Sequence, residues 1–210
     1  MPKIVPLVEG PGDIAAVPNL LYKILHWKQL WTWQVARPKQ VRGLGALKKR
    51  LSDFLKYAEK DAEEGGILIL CDLDDDCPKN AAYDLALQIE ALALSCPVAI
   101  VFAHREYEAW FLASIARIAE QHNLFQSNIR FQGDVEEIRD PKGWLTKQMP
   151  VGRIYKETIH QDIFTSSLDL EETLRKSRSF RRLCHSIEGL VQMSAKDKRG
   201  QVKPYHDIMQ

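Results

Sequence analysis

The chain has 210 residues, of which 45% are hydrophobic and 27% are charged, an ordinary composition for a globular protein built on one large domain. No apolar run approaches the roughly 20 residues that a membrane helix needs, and Glu9 interrupts the N-terminal apolar stretch early. We therefore expect a cytoplasmic protein with no membrane partner. The four cysteines show no Cys-x-x-Cys spacing, which argues against zinc-finger modules and disulfide scaffolds.

Charge is distributed unevenly along this chain, whose net charge is +1. Residues 1–138 contain 15 Lys and Arg against 19 Asp and Glu, a balance of −4, and residues 139–210 contain 14 against 9, a balance of +5. An acidic half joined to a basic half suits a metal-dependent enzyme that acts on a polyanion. Chance asymmetry explains the same counts equally well.

The first half of the chain alternates between predicted strands and predicted helices. The predicted strands span residues 3–8, 30–36, 67–71 and 98–103, and the predicted helices span residues 14–26, 46–63 and 81–94. A turn-rich basic loop is predicted at residues 37–45. The main strands are continuous Ile, Leu and Val runs, which is typical of strands buried on both faces of a parallel sheet. The alternation predicts an α/β fold, a mostly parallel sheet flanked by helices.

The second half of the chain is predicted to be mainly helical. Its predicted elements are a helix at 106–120, an edge strand at 129–131, a turn into a short helix at 140–144, and helices at 168–176 and 179–193. The polar residues 194–210 are predicted to be partly loose. We therefore expect an α/β core over residues 1–125 and a mainly helical C-terminal extension over residues 126–210, packed on that core.

Acidic residues directly follow two of the predicted strands. Glu9 ends the first strand ahead of Gly10, which permits a sharp turn, and Asp72 and Asp74 follow the buried strand at 67–71. Alternation along an extended segment puts Asp72 and Asp74 on the same side, where two carboxylates repel unless a cation lies between them. Carboxyl ends of parallel strands meet at one crevice, and hard cations prefer oxygen ligands. This pattern predicts a magnesium or manganese site, the alternatives being a simple turn at Glu9 and a solvated acidic loop after Asp72.

Two further acids, Glu106 and Glu108, follow the predicted strand at 98–103. On a helix that starts near Glu106, this residue shares a face with Trp110, while Glu108 points elsewhere. Glu106 would lie in the first helical turn, where the helix dipole favours a carboxylate, and it would also be within reach of the same crevice. An ordinary helix-start carboxylate explains Glu106 equally well, so the choice between Glu106 and Glu108 as a further ligand stays open.

Basic residues form two clusters. The first comprises Arg37, Lys39, Arg42, Lys48, Lys49 and Arg50, within fourteen residues that contain no acid, and the second comprises Arg175, Lys176, Arg178, Arg181 and Arg182. Such clusters supply phosphate contacts that do not depend on nucleic-acid sequence, although a solvated helix face is the commoner role. The candidate nucleic-acid-binding residues are Arg37, Lys39, Arg42, Lys48, Lys49, Arg181 and Arg182. No helix-turn-helix, RNA-recognition or zinc-finger pattern is present, so sequence-specific recognition is not predicted.

The acidic motifs resemble those of the Toprim domain, in which a strand ending in Glu-Gly-x-x-Asp, here Glu9 to Asp13, precedes a strand ending in Asp-x-Asp, here Asp72 to Asp74. Type IA topoisomerases, primases of the bacterial type and nucleases of the overcoming-lysogenization-defect class share that domain. The segments at 104–112, 155–156 and 179–183 resemble a Toprim-like family of bacterial proteins of unknown function, often found beside ATPases in defence or mobile loci. The Toprim motifs cover about the first 110 residues, and the family resemblance covers nearly the whole chain.

This resemblance implies roles for individual residues. It implies that Glu9 binds metal and acts as a general acid or base, that Asp72 and Asp74 are metal ligands, and that Glu106 or Glu108 is a further acid of the site. Mg²⁺ or Mn²⁺ is the implied cofactor. It also implies that Lys156 stabilises charge during phosphoryl transfer, although most lysines are simply solvated.

The function implied by the resemblance is a Mg²⁺-dependent phosphodiesterase, a nuclease acting on DNA or RNA, as part of a bacterial defence system. The alternative is a non-catalytic Toprim-like adaptor or regulatory subunit of a partner ATPase. The chain contains no tyrosine-nucleophile domain of topoisomerase size and no zinc-binding primase module, so those two activities are not implied.

Overall fold

A parallel β-sheet forms the centre of the molecule, in a computed structural model that describes residues 1–73, 76–126, 128–196 and 199–202. Within these residues the strands are β1 (Lys3–Val8), β2 (Gln34–Val35), β3 (Lys39–Gln40), β4 (Gly66–Leu73), β5 (Pro97–His104) and β6 (Gly200–Gln201). Their order is β2-β1-β4-β5-β6, with β3 paired to β1 farther along the edge that β2 occupies, and every pairing is parallel. The predicted α/β class with a mostly parallel sheet is confirmed.

Helices cover both faces of the sheet. They are α1 (Asp13–Trp27), α2 (Leu44–Lys49), α3 (Leu51–Ala62), α4 (Pro78–Ala91), α5 (Ala109–Ala113), α6 (Ile115–Gln121), α7 (Pro141–Gln148), α8 (Asp162–Ser166), α9 (Leu170–Lys176) and α10 (Arg178–Ala195), with a π-helix at Glu157–Gln161 between α7 and α8. Ile67 and Ile69 of β4 face the layer of α3 and α4, and Leu68 and Leu70 face the layer of α1, α5 and α10. No helix of the described residues is long and apolar enough to cross a membrane.

The strand register places the candidate residues at one end of the sheet. Val8 of β1 pairs with Leu70 of β4, and Leu70 pairs with Val101 of β5. Glu9 directly follows Val8, and Asp72 lies two residues beyond Leu70. Because all three strands run in the same direction, both acids lie at the carboxyl edge of the sheet.

Two predicted helices are divided in the structure. The helix predicted at 46–63 is interrupted at Arg50, where φ is −127° and ψ is 29°, which separates α2 from α3. The helix predicted at 106–120 begins only at Ala109, because Arg105 adopts a φ of +67° and turns the chain directly after β5. It is interrupted again at Ser114, whose hydroxyl oxygen accepts a hydrogen bond of 2.7 Å from the backbone N–H of Asp169.

Several short segments also differ from the prediction. The strand predicted at 30–36 is reduced to β2, and β3 lies in the predicted basic loop; Pro38, which has no N–H to donate, stands between these two short pairings. Residues 129–131 are not a strand. The predicted loose tail contributes β6, because Val202 is buried against α10, where a Cβ on Gly189 would lie 2.4 Å from the Val202 side chain.

Candidate functional site

A cavity of about 230 Å³ opens at the carboxyl ends of β1 and β4. We call it the acidic cavity; its lining residues are Glu9, Gly10, Asp13, Asp72, Glu108, Lys142, Glu157 and Gln161. The α/β half of the chain supplies the first five, and α7 and the π-helix supply the other three. The structure therefore brings Glu9, Asp72 and Glu108 together, and it adds residues that the sequence did not single out.

Glu9 and Asp72 are held by backbone amides. Glu9 Oε2 accepts a hydrogen bond of 3.3 Å from the N–H of Asp72, and Asp72 Oδ1 accepts one of 2.9 Å from the N–H of Tyr107. Burial raises the pKa of Asp72 well above its usual range, and the charges of Glu108 and Asp13 raise it further. The anionic form of Asp72 is thus disfavoured unless a cation is near.

Glu108 is the most deeply buried acid of the cavity, with 1% of its surface exposed. Its Oε1 accepts a hydrogen bond of 2.8 Å from the hydroxyl of Tyr155, whereas its Oε2 is buried and accepts no hydrogen bond. Burial raises the pKa of Glu108 to about 7, although Lys142 and the Tyr155 hydroxyl act in the opposite direction. A buried carboxylate oxygen without a donor is the kind of atom that a cation would satisfy.

Of the two candidate acids Glu106 and Glu108, only Glu108 lines the acidic cavity. Residues 106–108 form a turn instead of the first turn of a helix, so Glu108 lines the cavity and Glu106 lies at its border. The helical spacing does not apply to these two residues, because the chain turns at Arg105, whose φ is +67°, and the helix begins only at Ala109. The Glu106 carboxylate is 21% exposed, and its Oε2 also accepts no hydrogen bond.

Lys142 lies among three of these carboxylates. Its Nζ is 2.6 Å from Glu157 Oε1, 3.3 Å from Glu106 Oε1 and 3.8 Å from Glu108 Oε2. Burial by itself lowers the pKa of this lysine, but the neighbouring carboxylates outweigh it and raise the pKa above its usual range. The ammonium group therefore stays charged and neutralises part of the acidic cavity.

The π-helix closes one side of the cavity. Gln161 Nε2 donates a hydrogen bond of 2.7 Å to Asp13 Oδ1, and the N–H of Gly10 donates one of 2.8 Å to Asp13 Oδ2. A Cβ on Gly12 would lie 2.0 Å from Gln161 Oε1 and 3.0 Å from Glu157 Cβ, so a larger residue there would displace the Gln161 side chain from this position. Such π-helical turns are frequent at functional sites.

Lys156 does not line the cavity. It precedes the π-helix and is exposed, and its backbone N–H donates a hydrogen bond of 2.9 Å to His160 Nδ1. The cavity's lysine is Lys142, which follows Asp140 and Pro141 at the start of α7. The prediction that Asp74 is a ligand concerns a residue outside the described part of the chain.

One basic segment borders the acidic cavity. Gln40 Nε2 donates a hydrogen bond of 3.4 Å to the backbone oxygen of Glu9, and a Cβ on Gly43 would lie 3.5 Å from Glu9 Oε1. Arg42 lies between these two contacts and is exposed. Exposed Lys48 and Lys49 follow on α2. We call Arg42, Lys48 and Lys49 the basic segment.

The other predicted nucleic-acid-binding residues are placed differently. Lys39 pairs with Asp61 and lies 4.5 Å from the centre of the Tyr57 ring. Arg181 Nη1 donates hydrogen bonds of 2.8 and 3.0 Å to the carbonyl oxygens of Leu174 and Arg175, so it caps the C-terminal end of α9. The two remaining residues, Arg37 and Arg182, are exposed and half-buried, respectively.

The donor set of the cavity suits a hard cation, although the side chains are not arranged as a formed metal site. No group of three Asp, Glu, His or Cys side chains within the described residues is placed so as to hold an ion. Glu9 and Asp72 each accept a hydrogen bond from a backbone N–H group. The carboxylate oxygens that line the cavity are nevertheless the type of donor that hard cations prefer, and Oε2 of Glu108 is buried without a hydrogen bond.

A larger cavity, of about 420 Å³, lies at the opposite edge of the sheet, beside Pro2, Gly65 and Pro97. Its two acids, Glu63 and Glu64, are exposed, and Glu63 pairs with the N-terminal ammonium group and a lysine. None of its described lining residues contains a buried polar side-chain atom without a hydrogen bond. The smaller acidic cavity is therefore the better candidate for chemistry.

Comparison with known proteins identifies the family. The C-terminal region of the Burkholderia pseudomallei OLD protein is similar in structure, at 14% sequence identity and a TM-score of 0.40, over 90% of this chain and 98% of that one. No curated protein matches the chain. A family model matches residues 8–188, from the end of β1 into α10, and the chain therefore belongs to the family described as Domain of unknown function (DUF4276).

Proposed function

We propose that this protein is a phosphodiesterase that uses Mg²⁺ or Mn²⁺ to cleave nucleic acid at the acidic cavity. The observation that supports this most directly is the buried, hydrogen-bond-free Oε2 of Glu108 in the same cavity as Glu9 and Asp72. A buried polar atom without a partner costs about 1–3 kcal/mol. A cation held by these three carboxylates would remove that cost and would let Asp72 ionise in spite of its burial.

The surrounding residues position these carboxylates. A divalent cation held here by Glu9, Asp72 and Glu108 would supply an activated water molecule and would stabilise negative charge on the phosphate and the leaving oxygen. The Tyr155 hydroxyl holds Glu108 Oε1, which leaves Oε2 for the cation. The side chain of Gln161 and the N–H of Gly10 hold Asp13, so the cavity wall is fixed before any ligand enters. Asp74 remains a predicted further ligand.

The basic segment is placed to hold the polyanion. Arg42, Lys48 and Lys49 are exposed on the side of the cavity where Gly43 approaches Glu9. Lysine and arginine contacts to phosphate do not depend on base sequence. We therefore propose that the basic segment binds the sugar-phosphate backbone of DNA or RNA and that the scissile phosphate lies at the acidic cavity.

The test is cleavage by the purified protein. Duplex DNA, single-stranded DNA and RNA are each incubated with Mg²⁺, Mn²⁺ or EDTA, and the parent is compared with Asp72→Asn and with Asp84→Asn, a control at an exposed position on α4. We expect cation-dependent cleavage by the parent and the control, and at least a roughly 100-fold loss in Asp72→Asn. Melting in EDTA should show Asp72→Asn to be as stable as the parent or more stable, since clustered carboxylates repel.

Two results would contradict this proposal in different ways. A large loss of melting temperature in Asp72→Asn without metal would show that Asp72 is structural. Cation binding without cleavage of any of the three substrates would argue against a phosphodiesterase. It would favour a non-catalytic adaptor of a partner ATPase, in which the carboxylates of this protein bind a cation that stabilises its fold.

A further inference from the structure

We propose that two aromatic side chains of α3 form a stacking platform for unpaired bases, so that the protein binds single-stranded nucleic acid in preference to duplex. This inference rests on the proposed function, because it names the class of substrate that the acidic cavity would cleave. The platform consists of Phe54, which is half-buried, and Tyr57, which is exposed. We call these two residues the aromatic row.

Each ring of the aromatic row has a basic side chain over it. Nζ of Lys39 lies 4.5 Å from the centre of the Tyr57 ring, and the guanidinium carbon of Arg50 lies 5.5 Å from the centre of the Phe54 ring. Both distances are within the range of cation–π interactions. Proteins that bind single strands combine basic side chains, which follow the phosphate backbone, with aromatic rings on which the bases stack.

The aromatic row lies on the side of α3 that faces β3. Arg50, Phe54 and Tyr57 follow one another at intervals of four and three residues, so they share a face of the helix. Asp61, four residues after Tyr57, pairs with Lys39 of β3. The Lys39 side chain is only 14% exposed and is therefore fixed against the Tyr57 ring, whereas Tyr57 itself remains 57% exposed.

Strand β3 connects the aromatic row to the acidic cavity. Lys39 pairs with Leu7 of β1, and Nε2 of the next residue, Gln40, donates its hydrogen bond to the backbone oxygen of Glu9. Leu7 precedes Glu9 by two residues, so Lys39 lies about 7 Å from the level of Glu9, at about 3.3 Å per residue of a strand. A polynucleotide with one phosphate at the cavity would therefore reach the aromatic row with its neighbouring nucleotides.

Charge favours nucleic acid as the occupant of this surface. Residues 37–50, which lead up to the aromatic row, contain six Lys and Arg and no Asp or Glu. Tyr83 of α4 provides the contrast, since it is 63% exposed but lies on a helix that packs against β5 and β6. Within the described residues, no basic side chain lies over the Tyr83 ring. Tyr57 thus differs from an ordinary exposed tyrosine in its cation and in the basic stretch beside it.

Stacking on the aromatic row requires a base whose face is free. The bases of a duplex are stacked on one another, so a duplex would offer this surface only its backbone. Every base of a single strand has a face that can stack on an aromatic ring, whatever its sequence. The aromatic row therefore predicts a preference for single strands without a preference for sequence.

The test is binding in EDTA, so that no substrate is cut. Fluorescence anisotropy compares a single-stranded oligonucleotide with a blunt duplex of the same length for the parent, Tyr57→Ala, Tyr57→Phe and the matched control Tyr83→Ala. Tyr57→Ala should bind the single strand roughly tenfold more weakly, equivalent to about 1.4 kcal/mol, as expected for the loss of one base stack. Its affinity for the duplex should stay within about twofold of the parent's. Tyr57→Phe and Tyr83→Ala should bind as the parent does, because the ring stacks and the hydroxyl does not.

A second measurement does not depend on any variant. A single-stranded oligonucleotide that carries 5-iodouracil is irradiated in complex with the parent, and the crosslinked peptides are identified by mass spectrometry. Because this base crosslinks to aromatic rings that stack on it, we expect crosslinks at Tyr57 or Phe54. Crosslinks confined to other parts of the chain would overturn the inference.

The outcomes separate this inference from the proposed function. The stacking platform would be overturned by equal losses in Tyr57→Ala and Tyr83→Ala, by a loss in Tyr57→Phe as large as that in Tyr57→Ala, or by an equal loss on duplex. A parent that does not bind the single strand, or that binds duplex more tightly, would overturn it as well. In each case, cleavage that depends on Asp72 would still support the phosphodiesterase. A parent that stacks single strands and cleaves no substrate would keep the platform and overturn the phosphodiesterase.

Discussion

Two glutamates are equally buried in this protein and have opposite surroundings. Glu136 is 2% exposed, and its carboxylate accepts hydrogen bonds from the N–H of Ser179 at 2.6 Å, the hydroxyl of Ser177 at 2.8 Å and Nε of Arg178 at 3.0 Å. These donors lie at the N-terminal end of α10, where a carboxylate is also favoured by the helix dipole. Glu136 is therefore a structural anion that caps a helix.

Glu108, which is 1% exposed, receives only one hydrogen bond, from Tyr155, and its second oxygen accepts none. The pKa values of the two glutamates move in opposite directions. Burial raises that of Glu108 to about 7, whereas the donors around Glu136 outweigh its burial and lower its pKa. A buried carboxylate that is fully hydrogen-bonded stabilises the fold, and one that is not is a candidate for binding a ligand.

The same substitution at both positions tests this comparison most strongly. Glu136→Gln should lower the free energy of unfolding by about 2–3 kcal/mol, because hydrogen bonds to a charged group are lost and an amide N–H₂ meets the donors of α10. Glu108→Gln should change it by less than about 1 kcal/mol, because the amide oxygen still accepts from Tyr155 and a buried charge is removed. Urea unfolding in EDTA at neutral pH measures both.

Equal losses in the two variants would break the comparison, since they would show Glu108 to be as structural as Glu136. Glu137→Gln, at the exposed position next to Glu136, provides the control. It should unfold as the parent does.

The pH dependence of stability sharpens the comparison for Glu136. Its folded-state pKa lies below the ordinary value of 4.5, so its ionised form stabilises the folded state at pH values above about 4.5. That stabilisation is lost as the pH falls through the lower, folded-state pKa. The difference in free energy of unfolding between the parent and Glu136→Gln should thus be constant near neutral pH and shrink below about pH 4.5. A difference that grows on acidification would show that the hydrogen bonds do not favour the ionised form.

Sequence alone predicts the parts of the site that directly follow buried strands. Glu9 and Asp72 come immediately after long apolar runs, and in a parallel sheet the ends of such runs meet at one edge. Glu108 could be named only as one of two candidates, because its orientation depends on the left-handed conformation of Arg105. Arginine gives no signal for that conformation, as a glycine or an asparagine would.

The helical half of the site could not be predicted in this way. Lys142 and Glu157 reach the cavity through the packing of α7 and the π-helix, and neither segment has an apolar repeat that fixes its position relative to the sheet. The N-terminal signals of α7 are clear, since Asp140 and Pro141 predict a helix start there. They predict where the helix begins but not which residues it meets.

The basic residues near the two glutamates can be compared in the same way. The smallest expected effect is a change in nucleic-acid affinity when the basic segment is altered. Arg178 pairs with Glu136 and Arg181 caps α9, so both are engaged within the fold. The basic segment near the acidic cavity is exposed. Changing Arg42, Lys48 and Lys49 together to Gln should weaken binding to all nucleic-acid sequences alike and flatten its salt dependence, which has a slope of about −0.9 per neutralised phosphate on duplex DNA.

Fluorescence anisotropy between low and moderate salt measures this effect, with EDTA present so that no substrate is cut. The matched control changes three exposed lysines elsewhere, Lys56, Lys60 and Lys196, to Gln, which alters the net charge by the same amount. If both triple variants lose affinity equally, the loss comes from the change in net charge, and the position of the basic segment beside the cavity does not contribute to binding. If the parent does not bind at low salt, the acidic cavity does not receive a polyanion across this segment, and the adaptor alternative gains weight. A loss of affinity confined to the basic-segment variant would show that Arg42, Lys48 and Lys49 form one binding surface with the acidic cavity beside them.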